Sequence, residues 1–400
     1  MRQLALLVAI SLSAPCISQT IVVGPGGSYS QISAAVAAAP SGATILVRPG
    51  TYQGFQVVSK TLTILCDPSA QVAGEVFIGG IAAGQSVTLR GLTSASGWVP
   101  PTIPTPSALP KLLEISNCLG RVLIDTVDTT PAVSRVTVMS ILVLWTPGIV
   151  ASNCAQLVIR DSTFSANCSL TRCTTAIESS SFTGIYESNG NGQYNSPGLD
   201  VDYGSIRVGG SSSFQGAQGY YPGNPFEVTV PASAGLDLYS TDAQFVDGTA
   251  QSIRTGYPAD RGGINVFSTQ LRLAPRAVVN AVTGGFTGGR TPMPAIRVDG
   301  SLALGSLTAD VSSEAGDLVI VLLGFAGAPV VVAPFVDPFW LNPAGFVFHA
   351  ITVQPATSFT TSLPLPPAPS LAGLVLSWQA VAQGPATGFA ASNPSLVVVH

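Results

Sequence analysis

Two ten-residue stretches in the middle of the chain share one pattern, 36 residues apart. Ser116–Asp125 reads SNCLGRVLID, and Ser152–Asp161 reads SNCAQLVIRD. Repeats of about 20 to 40 residues indicate a solenoid, and strand repeats with polar turns favour a β-helix over a helical array. Equivalent residues of successive coils would then lie ~4.8 Å apart, so that Asn117 and Asn153 form an amide ladder.

A second self-similarity supports an all-β solenoid. Predicted strands close in two small polar residues and an aromatic residue at Ser162–Phe164, Ser180–Phe182 and Ser212–Phe214. Ala243–Phe245 and Thr269–Leu271 follow the same pattern more loosely. These strand endings predict one coil for each repeat.

A short helix is predicted before the strands. Ser28 can cap it, with Gln31 reaching back as in a capping box, and Pro40 ends it. The helix has one apolar stripe, which consists of Ile32, Ala35, Val36 and Ala39. We expect the stripe to cover the open end of the coils, because an uncovered sheet edge promotes aggregation.

The pattern changes near Leu307, where charged residues become sparse and the predicted strands lengthen. We therefore expect the β-helix to occupy residues 19–306 and a small C-terminal β-sandwich to occupy residues 307–400. The apolar stretch Leu318–Val336 is interrupted by glycines and prolines. It predicts two adjacent strands and no transmembrane span.

Composition and the N-terminus point to an exported protein. Only 9% of residues are charged, with 16 Lys and Arg against 20 Asp and Glu, so the chain has no positive field for nucleic acid. Arg2, the apolar run Leu4–Leu12 and the small residues up to Ser18 predict a signal peptide over residues 1–18. A lipid anchor on Cys16 is the alternative. We expect a secreted or cell-surface location.

Five cysteines follow the predicted signal peptide: Cys66, Cys118, Cys154, Cys168 and Cys173. In an oxidising compartment they could form two disulfides with one thiol left over. The repeat places Cys118 over Cys154 at a spacing that a disulfide can bridge, and stacked buried thiols are the alternative. Cys168 and Cys173 are close enough in sequence to close a local loop. Neither histidine of the chain lies near a cysteine, so no zinc site is expected.

Three N-terminal stretches carry a family resemblance: Gly26–Ile32 (GGSYSQI), Ala34–Pro40 (AAVAAAP) and Ile45–Tyr52 (ILVRPGTY). They resemble the opening of pectinesterases and of the wider pectin-lyase-like superfamily. That resemblance implies a right-handed parallel β-helix, export and pectic polysaccharide substrates. The remainder, including Ser392–Ser395 near the C-terminus, is similar to β-helix proteins exported by bacteria such as planctomycetes.

The catalytic motifs of those families are missing from this sequence. The pectinesterase motifs Asp-Phe-Ile-Phe-Gly and Leu-Gly-Arg-Pro-Trp have no counterpart, and polygalacturonases need a histidine beside three aspartates, whereas both histidines here follow residue 307. No catalytic residue is assigned. The preferred function is non-catalytic polysaccharide binding or a structural role. The alternatives are a lyase or esterase acting on acidic polysaccharide, and an adhesive surface protein without a sugar ligand.

The nearest approximation to a pectate lyase site is Asp200 and Asp202, with Tyr203 and Arg207 close behind. Alternation along a strand puts the two aspartates on one face, where their oxygens could share a calcium ion. A solvated loop between two glycines is the alternative. No other cofactor is expected.

Two further groups are candidates for ligand binding. Arg254, Asp260 and Arg261 form a polar cluster, for which surface ion pairing is the alternative. Exposed aromatic rings can stack on sugars, or they can pack loops against the coils. The candidate rings in Gly- and Asn-rich segments are Tyr186, Tyr194, Tyr203, Tyr220, Tyr221 and Tyr257. Polysaccharide is thus the expected partner, and the oligomeric state is left open.

Overall fold

The computed structural model describes residues 19–95, 111–130, 135–138, 142–145, 148–165, 168–188, 193–218, 232–251, 262–335, 337–367, 371 and 373–399. The predicted signal peptide lies outside the described residues.

The described chain is almost entirely β-structure. Its N-terminal part contains β1 (Thr20–Val23), α1 (Ile32–Ala38), β2 (Ala43–Val47), β3 (Gly50–Val58), β4 (Leu62–Cys66), β5 (Ala70–Gly79), β6 (Ser86–Arg90), β7 (Thr93–Ser94) and β8 (Leu113–Asp125). The middle part contains β9 (Arg135–Val138), β10 (Leu142–Trp145), β11 (Ile149–Arg160), β12 (Thr163–Ser165), β13 (Ser169–Thr171), β14 (Thr174–Glu178), β15 (Ser181–Thr183), β16 (Tyr186–Ser188), β17 (Gln193–Asn195), β18 (Leu199–Asp202), β19 (Ser205–Gly209), β20 (Ser213–Gln215), β21 (Leu236–Tyr239), β22 (Asp242–Phe245), β23 (Thr249–Gln251), β24 (Ile264–Leu273), β25 (Val278–Val279) and β26 (Val282–Arg290). The C-terminal part contains β27 (Ala295–Ser301), β28 (Ser306–Ser312), β29 (Leu318–Val331), β30 (Pro338–Val353), β31 (Ser358–Pro364), β32 (Val375–Gly384), β33 (Gly388–Ala391) and β34 (Ser395–Val398).

Up to β26, the chain adds most of its strands in turn to three ladders of parallel strands, here named walls. The exceptions are β9 with β10 and β16 with β17, which form two separate antiparallel pairs. Wall A contains the second halves of β3 and β5, the first halves of β8 and β11, then β13, β18, β21 and the first halves of β24 and β26. Wall B contains β1, β2, β4, β6, the second halves of β8 and β11, then β14, β19, β22 and the second halves of β24 and β26. Wall C contains the first halves of β3 and β5, then β7, β12, β15, β20, β23 and β25. The expected all-β chain with parallel strands is confirmed.

A column of residues with left-handed backbone makes the corner between walls A and B. Their φ angles lie between +47° and +54°, and the residues are Ser59, Asn117, Asn153, Arg172, Tyr203, Ser240 and Ser268. The predicted amide ladder is confirmed there, because the Asn153 amide donates to the Asn117 side-chain oxygen at 3.1 Å. A residue of this conformation turns the chain sharply, so each coil bends at the same place and its strands stay in register.

The interior of the coils is filled by stacked apolar side chains. The predicted strand endings stack in wall C, where the ring centroids of Phe164 and Phe182 are 5.1 Å apart and those of Phe182 and Phe214 are 5.2 Å apart. Phe245 lies 5.9 Å from Phe214 but comes from β22 of wall B, so the looser pattern at Ala243–Phe245 does not repeat this position. All four rings are buried, and the sequence repeat at Phe164, Phe182 and Phe214 is a repeat of the core.

Helix α1 packs its apolar stripe on the N-terminal coil, with Ile32, Ala35 and Val36 buried. The prediction that Ser28 caps the helix is wrong. The N-cap is Gln31, whose side-chain oxygen accepts a hydrogen bond from the backbone N–H of Gln53 at 3.0 Å. The glutamine is therefore used to attach the helix to β3 and makes no cap hydrogen bond.

After Arg290 the pairing changes from parallel to antiparallel. One sheet has the order β27-β28-β31, a second has the order β30-β29-β32-β33 with β34 also on β32, and residues such as Val298, Val321 and Trp378 fill the space between them. Antiparallel sheets of three or more strands thus begin at Ala295, and the domain boundary at residue 307 stays a prediction.

The expectation of two strands in Leu318–Val336 is wrong, because β29 is continuous over Leu318–Val331. Gly324 and Gly327 leave room for the close approach of β30, since a Cβ at either position would meet β30 backbone at about 2.9 Å. They therefore do not break the strand. Among the described residues, no helix has the length and apolar character needed to cross a bilayer.

The C-terminal sheets cover wall B. Outward side chains of that wall, such as Leu123 and Val158, pack against Trp340, Leu396 and Val398. Arg160 of wall B is 4% exposed and donates to the carbonyl oxygens of Leu396 and Val298. On wall A, described residues such as Tyr203 and Phe267 stay exposed, and the candidate site lies there.

Candidate functional site

The outer face of wall A is built by alternation along three stacked strands. In β18, Leu199 and Val201 point into the core, and Asp200 and Asp202 point outward. The next two strands repeat this pattern in register, so that Asp200 lies beside Asp237 and then Asn265. The outward positions of neighbouring coils therefore form continuous columns across the wall.

The second column carries a row of aromatic rings on the surface. Asp202 lies beside Tyr239 and then Phe267, and Tyr203 follows at the corner. The ring centroids of Tyr203 and Tyr239 are 5.1 Å apart in an edge-to-face arrangement. Tyr239 and Phe267 stack at 4.9 Å with an angle of 3° between their planes. We name Tyr203, Tyr239 and Phe267 the aromatic row; they are 55%, 38% and 57% exposed.

Carboxylates and amides flank the aromatic row. Asp237 accepts a hydrogen bond from the Asn265 amide at 2.8 Å, and Asn265 accepts one from the Thr283 hydroxyl at 3.0 Å. Partial burial, and then the negative charge of Asp237, raise the pKa of Asp202. The face thus combines flat apolar rings with a polar column two residues earlier on the strands.

A shallow cleft continues the row at the next coil. It is lined by Ser268, Gln270, Phe286 and Thr287, among others, and the Phe286 ring is 41% exposed. An extended ligand lying across the coils would pass from the aromatic row into this cleft.

The structure brings three of the predicted site residues together. Asp200 and Asp202 share one face, as alternation predicted, and Tyr203 stands beside them. Arg207 does not join them, because the chain turns at Tyr203 and places Arg207 on wall B. There it is 3% exposed, its guanidinium donates to the Ala391 carbonyl oxygen, and burial lowers its pKa to about 10.

None of the other predicted ligand-binding residues has a described side-chain position at the site. The backbone of Tyr194 lies in β17 opposite Glu187 of β16. Six residues lie outside the described residues: Tyr220, Tyr221, Arg254, Tyr257, Asp260 and Arg261. Within the described part of the chain, no group of three or more His, Cys, Asp or Glu side chains is arranged to hold a metal ion. Calcium binding by Asp200 and Asp202 stays a prediction.

Sequence reasoning missed Asp237, Tyr239, Asn265 and Phe267. A signal was present, because Leu236–Tyr239 (LDLY) and Ile264–Phe267 (INVF) repeat the alternation of Leu199–Asp202 (LDVD). Stacking these three strands in register would have predicted the columns.

Arginines and carboxylates converge at a second place, where wall B meets the C-terminal sheets. The cleft there is lined by Arg90, Asp125, Arg160, Asp161 and Asp299, among others. Arg90 pairs with Asp125 at 2.9 Å, and Arg160 pairs with Asp161 at 3.0 Å and with Asp299 at 3.1 Å. Each of these carboxylates is thus held by a guanidinium, which is the arrangement of a docking contact.

Glu178, beside this cleft, predicts a pH dependence of stability. It is 1% exposed, one oxygen accepts a hydrogen bond from Ser395 at 2.7 Å, and the other lies 4.0 Å from Arg160. Burial raises its pKa to about 7 despite the opposing effect of Arg160. Because the folded pKa exceeds the unfolded value of about 4.5, the stabilisation is complete below pH ~4.5. As the pH rises to about 7 this stabilisation is lost, and the free energy of unfolding falls by on the order of 3 kcal/mol.

We expect Glu178→Gln to flatten the fall in unfolding free energy between pH 5 and 7 and to exceed the wild type in stability at pH 7.5. Urea unfolding at several pH values measures this. Glu114→Gln is the control, since Glu114 is a partly exposed partner of Lys111 and its removal should keep the wild-type slope. Parallel curves for Glu178→Gln and the wild type would contradict the expectation.

The solved structures that the chain resembles include a bacteriophage protein. The chain is similar to the enzymatically active domain of tailspike protein 2 from bacteriophage CBA120, over 94% of its own length and 71% of that chain, with 11% identity and a TM-score of 0.22. A TM-score of that size establishes no shared fold. No protein-family model and no curated protein matches the chain.

Proposed function

We propose that this chain is a secreted or cell-surface protein with a right-handed parallel β-helix of the pectin-lyase type, which binds polysaccharide on wall A without catalysis. The three parallel walls and the N-terminal motifs support the β-helix. The aromatic row supports the binding function and is the observation that carries it.

The exposure of Tyr203 favours binding over packing as the role of the row. Its φ is +54°, a conformation that costs a bulky residue roughly 1–2 kcal/mol. Other coils carry Asn, Ser or Arg at the same corner, and of these residue types asparagine tolerates the conformation most readily. Tyr203 is nevertheless 55% exposed, so its ring offers a flat face on which a sugar can stack.

The charge of the face selects the class of polysaccharide. Asp200, Asp202 and Asp237 lie in adjacent positions, and Arg172 at the corner is a nearby cation. A polymer of uronic acids would be repelled by these carboxylates unless a cation bridged them. The proposed ligand is therefore a neutral glycan.

A glycan array first identifies a ligand. Calorimetry then measures the binding of soluble neutral glycans and of pectin, in the presence of calcium or of a chelator. We expect a neutral glycan to bind, and Tyr239→Ala to weaken it about tenfold, or ~1.4 kcal/mol, because Tyr239 contacts both other rings. Phe325→Ala is the matched control, since Phe325 is 52% exposed on β29.

Three outcomes would overturn the proposal. The absence of any glycan ligand would favour the adhesive alternative. Equal glycan affinities of the wild type and Tyr239→Ala would show that the glycan does not bind at the aromatic row of wall A. Release of unsaturated ends or methanol from pectin would establish an enzyme, and Asp161→Asn would then show whether the cleft beside wall B does the chemistry.

A further inference from the structure

Three cysteines lie in one column inside the coils. Cys118, Cys154 and Cys173 each follow directly after a left-handed residue of the corner between walls A and B. They are 0%, 2% and 1% exposed. Successive coils thus place a thiol at the same inward position three times in a row.

The register brings the middle thiol next to both others. Cys154 is the direct partner of Cys118 in the ladder of β8 and β11. Ser152 pairs with Thr171. Because Cys154 and Cys173 each follow two residues after a member of this pair, they lie beside each other. Neighbouring coils are ~4.8 Å apart, which lies within the Cα separation of about 4.4–6.8 Å that a disulfide spans.

The sulfur contacts agree with this register. All three are free thiols in this structure; the Cys154 thiol donates to the carbonyl oxygen of Ser152 at 3.4 Å and lies close enough to the side chains of Cys118 and Cys173 to interact with both. These contacts lower the pKa of Cys118 and of Cys173 and raise that of Cys154. The two outer thiols are therefore the ones that ionise more readily, and the thiolate is the nucleophile in disulfide chemistry.

The remaining cysteines are held elsewhere. Cys168 precedes β13, with its sulfur near Gly148, and Cys173 lies beyond the other end of that strand. Three extended residues from Cys168 to Thr171 span about 10 Å, which exceeds the reach of a disulfide. Cys66 ends β4 on wall B. The structure thus keeps Cys168 and Cys173 apart, and the predicted local loop would need β13 to rearrange.

We propose that Cys154 forms a single disulfide with either Cys118 or Cys173, and that the third cysteine of the column remains a thiol. Cys154 is therefore the partner common to both possible bonds. The bond forms by exchange with a small-molecule disulfide. The thiols of Cys154 and one neighbour lose two protons and two electrons and form an S–S bond. The S–S bond of the reagent breaks, and its two halves take up these protons and electrons and leave as thiols. The third thiolate can then attack the Cys154 sulfur, which moves the disulfide along the column without net oxidation.

Trypsin separates the relevant cysteines, because cleavage after Lys111, Arg121, Arg135, Arg160, Arg172 and Arg207 leaves Cys118, Cys154, Cys168 and Cys173 on four different peptides. The full chain is refolded in a mixture of reduced and oxidised glutathione, its free thiols are blocked, and the unreduced digest is examined by mass spectrometry. We expect linked peptides that contain Cys154 with Cys118 or with Cys173. Peptides that carry Cys66 or Cys168 should be found unlinked.

Two single variants distinguish a shared centre from a fixed pair. Cys118→Ala should leave only the link of Cys154 to Cys173, and Cys173→Ala only the link to Cys118. Cys168→Ala is the matched control and should keep the wild-type linkage. A link that includes Cys168, a digest without any link, or loss of all linkage in either outer variant would overturn the proposal.

Discussion

Replacing Asp337 with alanine is expected to lower the free energy of unfolding by about 3–5 kcal/mol, the cost of leaving a buried charge without its partner. Asp337 is fully buried. Its carboxylate accepts hydrogen bonds from Arg272 at 2.6 Å and from the Ala391 N–H at 3.0 Å, and it lies 3.6 Å from Arg207. Alanine would leave Arg207 buried with no counter-ion at this short distance.

Denaturant unfolding of wild type and variant measures the effect. Asp310→Ala is the control, because Asp310 is exposed and accepts one hydrogen bond from Thr360, and surface changes of this kind stay near 0.5 kcal/mol. If the two variants lose the same amount, the ion contacts of Asp337 do not hold the C-terminal sheets on wall B.

Phe182→Ala should cost a similar 3–5 kcal/mol, the usual range for a buried phenylalanine. The ring is fully buried between Phe164 and Phe214, and coils above and below cannot close the gap without breaking their register. The loss therefore combines the apolar transfer of the ring with a cavity inside the column.

Thermal or urea unfolding of Phe182→Ala and Phe182→Leu gives the comparison. Leucine keeps most of the volume and should lose clearly less than alanine. A loss below about 1 kcal/mol for alanine would mean that the phenylalanine stack contributes little to the fold, contrary to its burial.

The core of the coils could be predicted from the sequence because it repeats. Asn117 and Asn153, and Phe164, Phe182 and Phe214, recur in similar local patterns, and a solenoid places such residues on top of one another. Each coil contacts mainly its neighbours, so local similarity was sufficient to predict a long-range contact.

The candidate site was only partly predictable, because it depends on where the chain turns. Alternation predicted that Asp200 and Asp202 share a face. The turn at Tyr203 then moved Arg207 to another wall, and a tyrosine with left-handed backbone has no sequence signal comparable to glycine. The burial of Arg207 depends further on Asp337 and Ala391, which lie more than a hundred residues away and carry no repeat.

The corner between walls A and B has a consequence for how this surface can change during evolution. Its backbone turn is the same whether the residue is Asn153, Arg172 or Tyr203, while each side chain lies at the surface. A substitution there changes the chemistry offered to a ligand and leaves the neighbouring coils in place. Mutations in this single column could thus exchange one ligand preference for another without refolding the scaffold, at a cost of a kilocalorie or two for each bulky residue.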